Sequence, residues 1–309
     1  MKRNFRCGLP NHVYSRGING YVIFYTTADC IFYVTLYSCL AKKYPIKTFA
    51  FSIMPNHTHS LQVTERKETF IKFNQELTAL FTKGYNKKHQ RQGSLFQTPF
   101  GSAPKVVGKQ IRNCFSYINN NGPVGKLSDT ILNYRWNLLA YRDVQYPFSN
   151  NNHSSWESRR MTRAIKYIDY LYDTSVILDY SLQARIMKGL DMNERKKIVD
   201  YILYKYNFLD FSGLEYYFGS YQKALIAMEA NGGSEHDIRE DWEDYSVYVQ
   251  MSRICMEAGI SLEEINFENE SGQAMEQLYQ KCLSMTTATP AQIRKFLHLA
   301  AISYTAENQ

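Results

Sequence analysis

An α+β domain followed by an all-helical region is the fold class that the sequence predicts. Three observations carry it: the first half alternates short β-rich runs with helical periodicity, the chain beyond about residue 157 is helical in pattern almost throughout, and the charge changes sign between them. Of 309 residues, 44% are hydrophobic and 21% charged, which excludes a disordered, collagen-like or coiled-coil chain. The net charge of +7 conceals the sign change: residues 1–150 hold 20 Lys and Arg against 6 Asp and Glu, net +14, whereas 151–309 hold 16 against 23, net −7. Such asymmetry predicts two domains with different tasks, 1–150 and 151–309, and a half at +14 calls for a polyanionic partner. A basic domain that binds nothing is the bland alternative.

The elements follow in order. His12 to Ser15 and Gly20 to Tyr25 are expected to be extended, and Asp29 to Lys43 places Ile31, Val34, Leu36, Leu40 and Ala41 on one broad helical face. Ile46 to Met54 and His59 to Val63 are two strands separated by the Pro55-Asn56 turn signal, so a hairpin results. Glu68 to Lys88 repeats Phe70, Phe73, Leu77, Leu80, Phe81 and Tyr85 at helical spacing and runs into a basic loop ending at Gly93. A short strand is expected at Ser94 to Phe100, then a helix over Val107 to Asn120. Strand, helix, strand, strand, helix, strand, helix is the order of a ferredoxin-like sandwich, an antiparallel sheet with helices on one face plus one added helix. The polar stretch Tyr146 to Ser155 marks the domain boundary, and beyond it helices are expected at 164–172, 182–189, 193–206, 213–230, 235–258, about 272–285 and 290–302.

Six scattered cysteines with no Cys-x-x-Cys pair fit a reducing, cytoplasmic compartment with buried thiols. The sequence holds no run of about 18 or more uncharged apolar residues, and its basic start leads into a polar stretch, which argues against a membrane span and a secretory signal.

Chemistry concentrates in two places. In Met54-Pro55-Asn56-His57-Thr58-His59, positions i and i+2 of a strand face the same way, so His57 and His59 aim both imidazoles at one point. Converging imidazoles begin a metal site, although a pair held by hydrogen bonds is the commoner meaning of an isolated His-x-His. The second place is Ser116 to Pro123, where Tyr117 and Asn121 are four apart and share a helix face. If that face lies over the histidines, Asn121 can complete an ion's ligand set while Tyr117 approaches whatever the ion polarises. Packing remains the ordinary role for one tyrosine among 25.

The run His12-Val13-Tyr14-Ser15-Arg16-Gly17, then Met54 to His59, Gly93-Ser94-Leu95-Phe96-Gln97, and Tyr117-Ile118-x-x-Asn121 with Pro123 resembles the single-tyrosine HUH transposases, and within them the REP-associated tyrosine transposases and their insertion-sequence relatives. The resemblance covers residues 10–155. It implies cleavage and strand transfer of single-stranded DNA beside a folded hairpin, through a 5′-phosphotyrosine and a free 3′-hydroxyl. It also implies that His57, His59 and Asn121 are metal ligands and Tyr117 is the nucleophile. A phenol with a pKa of about 10 is a poor nucleophile at neutral pH, so a Mg²⁺ or Mn²⁺ ion on the phosphate is expected; zinc with a water would point to hydrolysis instead. The chain departs from the family pattern at Thr58, where a bulky apolar residue is usual, and at Gly122, which separates asparagine from proline and leaves Asn119 and Asn120 as alternative amide ligands. Family members work as dimers or as monomers, so a homodimer is an open expectation. A hairpin-binding module of the same fold, without catalysis, is the alternative function.

Basic residues cluster where DNA would lie: Lys83, Lys87, Lys88, His89 and Arg91 at one helix end, Lys105, Lys109 and Arg112 on or before the tyrosine helix, and Arg16 after the first strand. Phe96, Phe100, Tyr85 and Phe115 can stack on bases but are expected in the core. In the acidic half, Thr289 as N-cap and Pro290 at N1 allow a helix-turn-helix over about 272–302, with Gln292, Arg294, Lys295 and His298 reaching a groove; a helical bundle for dimerisation or cover is the alternative.

Overall fold

The computed structural model describes residues 4–149, 158–232, 244–262 and 272–299; part of the expected boundary and residues 235–243 of the acidic stretch lie outside them. Four strands, β1 (Asn11–Arg16), β2 (Lys47–Met54), β3 (His57–Val63) and β4 (Gly101–Pro104), form one antiparallel sheet in the order β2-β3-β1-β4. Helix α1 (Thr27–Lys43) joins β1 to β2, α2 (Lys67–Lys88) joins β3 to β4, and α3 (Gly108–Val124) follows β4. This is the ferredoxin-like arrangement expected, with an all-helical region after it. Two expected strands are corrected. Residues 21–25 follow a 3-10 turn at Ile18–Gly20 without joining the sheet, and residues 94–100 pair with it through the Gly17–Phe96 bridge alone among the described residues, so the fourth strand starts at Gly101.

The two faces of the sheet carry different layers. Phe51 and Ile53 pack on the α1 and α2 side, and Ala50 and Leu61 on the α3 side with Phe115, Tyr117 and Ile118. A register shift between Thr48 and Ala50 inserts Phe49, which stacks on Phe115 of α3 at 6.3 Å between ring centroids. Helix α1 starts with a capping box in which Thr26 and Asp29 satisfy each other's backbone N–H groups. Every α1 residue from Asp29 to Leu40 is buried, more than the single face expected, because the helical half covers its outer side.

That half comprises α4 (Arg159–Asp173), α5 (Tyr180–Met187), α6 (Met192–Lys205), α7 (Phe211–Phe218), α8 (Tyr221–Ala230), α9 (Ser246–Glu257), α10 (Gly272–Met285) and α11 (Pro290–Leu297). Ser158, Asp179, Asp191, Asp210, Ser220 and Thr289 cap six of these helices with side-chain oxygens. The expected single helix over 213–230 is two, because Gly219 takes φ 86° and Ser220 starts a new cap. The helices share cores with the sheet half: Ile168, Ile198 and Tyr206 with Phe51 and Val34, Leu214 and Met228 with Phe115, and Met251, Ile293 and Phe296 with Val22, Met54 and Tyr134. Of the six cysteines, Cys7 is exposed and the other five are buried. No helix among the described residues is long and apolar enough to cross a membrane.

Candidate active site

Strand alternation builds the floor of the site. In the register, His57, His59 and Leu61 of β3 lie opposite Arg16, Tyr14 and His12 of β1, so all six side chains leave the sheet on the α3 side. The imidazoles of His57 and His59 sit 4.7 Å apart between centroids. Helix α3 crosses this face and brings Tyr117 down onto it, its ring 5.5 Å from that of His59 and 5.7 Å from that of His12. One turn on, Asn121 donates from Nδ2 to the backbone oxygens of Tyr117 (3.1 Å) and Ile118 (3.2 Å), which turns its Oδ1 away from the helix backbone.

Hydrogen bonds set how the histidines present themselves. Asn56 donates from Nδ2 to Gly20 O (3.0 Å), and its Oδ1 then lies 2.6 Å from Nδ1 of His57. With a proton on Nδ1, His57 carries the acceptor lone pair on Nε2. Nδ1 of His59 lies 3.0 Å from Nε2 of His12, and donation to His12 leaves Nε2 of His59 in the same state. Both Nε2 atoms are buried. Two such nitrogens and an amide oxygen suit a divalent ion with remaining positions taken by water or phosphate, and this donor set favours Mn²⁺ over Mg²⁺. Among the described residues no three His, Cys, Asp or Glu side chains form a metal-holding group.

The departures at Thr58 and Gly122 have structural reasons. Thr58 points to the opposite side of the sheet, where its hydroxyl lies 3.2 Å from that of Tyr33 on α1, and burial pushes the Tyr33 hydroxyl well up so that it stays protonated. Gly122 lets the ring of Tyr134 pack against α3, while the Tyr134 hydroxyl donates to Ile53 O at 2.5 Å. The helix runs through Pro123 to Val124, longer than expected. Asn119 and Asn120 are directed to α8: Asn119 donates to Met228 Sδ (3.4 Å) and Asn120 to Met228 O (2.8 Å). Asn121, four residues after Tyr117, shares its face of α3.

The expected DNA-contacting residues divide. Lys83, Lys87, Lys88, Lys109 and Arg112 are exposed, with Lys109 and Arg112 on the early turns of α3, roughly 8 to 12 Å along the axis from Tyr117 at 1.5 Å per residue. Arg91 folds back on its own loop, donating to Asn86 Oδ1 and Ser94 O. Lys105 is 4% exposed, so its charge is not displayed as the basic pattern implied, because its backbone is tied to Pro10 at the sheet edge. Arg16, opposite His57, has a buried Nε–H with no acceptor among the described residues. Phe96, Phe100, Tyr85 and Phe115 are core residues.

Helix α11 starts as expected, with Thr289 capping and Pro290 at N1, and Gln292, Arg294, Lys295 and His298 contact other parts of the protein through side chain or backbone. Gln292 donates to Asp244 O, Arg294 lies over the Tyr279 ring, Lys295 O accepts from Val22 N, and His298 stacks on Tyr21 and bonds Val22 O. Tyr245, just before α9, rests 5.9 Å from the His57 ring. Sequence reasoning missed His12, Asn56 and Tyr245. The alternation His12, Tyr14, Arg16 was a visible signal for the first; Asn56, beside His57, was read as a turn residue, and Tyr245 depends on a chain crossing that no local pattern encodes.

No family model matches the chain, and no curated protein matches it. Among solved structures, the chain is similar to a REP-associated tyrosine transposase bound to a REP hairpin, with a TM-score of 0.40 and 14% identity over 51% of this chain and 94% of that one.

Proposed function

We propose that the chain cleaves and rejoins single-stranded DNA beside a hairpin, using Tyr117 as nucleophile. The observation that carries this reading is the gathering of His57, His59 and Tyr117 on one face of the sheet, with Asn121 one turn beyond. The phenolic oxygen attacks the scissile phosphorus, the P–O3′ bond breaks, and the 3′-oxygen leaves as a hydroxyl after taking a proton. The phenolic proton passes to solvent, because His12, edge-on to Tyr117, has its Nε2 lone pair committed to His59, and Arg16 offers its Nε–H to a non-bridging oxygen. A divalent ion held by His57, His59 and Asn121 would supply charge stabilisation on the phosphate. Exposed Lys83, Lys87 and Lys88 supply sequence-independent affinity for the strand. Mixing the protein with hairpin-bearing single-stranded DNA and Mn²⁺ or Mg²⁺ should give a denaturant-resistant adduct that Tyr117→Phe abolishes; an adduct that persists in this variant refutes the assignment.

A second reading, a hairpin-binding module without cleavage, has one observation in its favour. Tyr117 is 4% exposed and Tyr245 lies against His57, so the strand can reach the phenol only after side chains move. Hairpin binding with no adduct under any ion would select it.

A further inference from the structure

A cavity of about 570 Å³ opens between the start of α1, the end of α2, and helices α5 and α6. One wall is apolar, made by Ile31, Met187 and Val199, with the Tyr180 ring beside them. Lys88, Arg195 and Lys196 also line it, Arg195 with its Nε–H donated to Leu190 O at 3.0 Å, and the described lining contains no carboxylate. Arg135 also reaches the lining, but its charge is matched by the buried Asp200 at 3.2 Å. Tyr180 is held in place: its hydroxyl donates to Asp29 Oδ1 at 2.8 Å, and Gln183 on the next turn donates to Ala28 O at 3.1 Å. The one acid near the floor, Asp29, is occupied by Tyr180, by the Thr26 cap and by His89 at 3.4 Å.

An apolar slot with a fixed aromatic ring and a cationic side matches a flat base joined to a phosphate. Its position points to where that base comes from. Lys88 belongs to the exposed basic end of α2 with Lys83 and Lys87, and Ile23 and Phe24 donate to Pro55 O, which sets the α1 wall at the same end of the sheet as His57. We propose that this cavity takes one unstacked nucleotide of a single-stranded DNA chain, with the base against Tyr180 and Met187 and its phosphates on Lys88, Arg195 and Lys196. The helical half thereby becomes part of the DNA-reading surface. The inference rests on the proposed function only for the kind of strand, and it is tested by binding in a chelator, where cleavage plays no part.

The full-length chain is titrated with a fluorescent single-stranded oligonucleotide in EDTA, beside Ala184→Trp, which fills the cavity mouth from an exposed position, and Lys196→Glu. Loss of a single base stack implies that Ala184→Trp weakens binding by about 5- to 100-fold, and Lys196→Glu should weaken it with a shallower salt dependence. An oligonucleotide carrying 5-iodouracil should photo-crosslink to the peptides holding Tyr180 or Met187, and Ala184→Trp should suppress that adduct while circular dichroism stays unchanged. Unaltered affinity in both variants with crosslinks only elsewhere overturns the proposal. So does binding of free dTMP or dTTP in the cavity while the oligonucleotide leaves it uncrosslinked, since that assigns the cavity to a free nucleotide.

Discussion

Gly122→Ala is expected to destabilise the protein, and to do the opposite once Tyr134 is removed. A methyl group on Gly122 would lie 2.3 Å from Cγ and 2.7 Å from Cβ and Cδ1 of Tyr134, atoms too close to the Tyr134 backbone to swing aside. The ring is also anchored at its far end, where the buried hydroxyl donates to Ile53 O. Overpacking of this kind costs about 1 to 3 kcal/mol, and losing the tyrosine hydrogen bond adds about 1 kcal/mol. Against this, alanine gains about 1 kcal/mol over glycine inside a helix. The net expectation is a loss of about 2 kcal/mol, measured as a lower urea midpoint at unchanged slope. In a Tyr134→Ala background the clash is gone and only helix propensity remains, so the same substitution should stabilise by up to about 1 kcal/mol. Equal effects in the two backgrounds, or a neutral Gly122→Ala in the natural one, would refute the claim that Tyr134 dictates glycine here.

Other expectations follow from the same geometry. Asn56→Ala removes the acceptor that orients His57, and Mn²⁺ affinity measured by calorimetry should fall by about 10- to 100-fold; unchanged affinity would separate Asn56 from the proposed ion site. His298, whose charge is disfavoured by burial and by the nearby Arg91 and His89, has its pKa lowered from 6.5 to about 4. A depressed value means that the unfolded chain binds the proton more readily, so His298 contributes stability above about pH 6.5 that is lost as pH falls toward about 4. His298→Asn, chosen because asparagine tolerates the φ of 55° at this position, should flatten the stability profile across that window; an unchanged slope in urea titrations would exclude His298 as its source. Tyr180→Phe strips a donor from buried Asp29 and should lower stability by about 1 to 3 kcal/mol in the same assay; a midpoint equal to the parent's would show that the bond contributes nothing.

Much of the sheet half was legible in the sequence because its signals are local. Alternation placed His57 and His59 on one face, and the four-residue spacing put Tyr117 and Asn121 on one side of α3. Turn and cap residues marked the β2–β3 hairpin and the start of α11. Where local signals conflicted with packing, packing prevailed. Leu95, Phe96 and Phe100 are buried although the segment 94–100 makes no strand pairing beyond one bridge, and α1 is enclosed all round because α5 and α6 sit on its outer side.

The sequence by itself determined which groups exist and which way each leaves its own helix or strand, since the periods of 2 and 3.6 are properties of the backbone. It thereby settled the α+β order and the basic half, and it put His57 with His59 and Tyr117 with Asn121 on shared faces while leaving Asn119 and Asn120 open as alternatives to Asn121. Only the tertiary structure decided which faces meet: that α3 lies over β3 and β1, that His12 joins His59, that Asn119 and Asn120 turn to α8, and that Tyr245 and α11 close against the loop beside His57. The physical reason is that these contacts join residues far apart in the chain, and their stability comes from shared burial, which no single segment encodes.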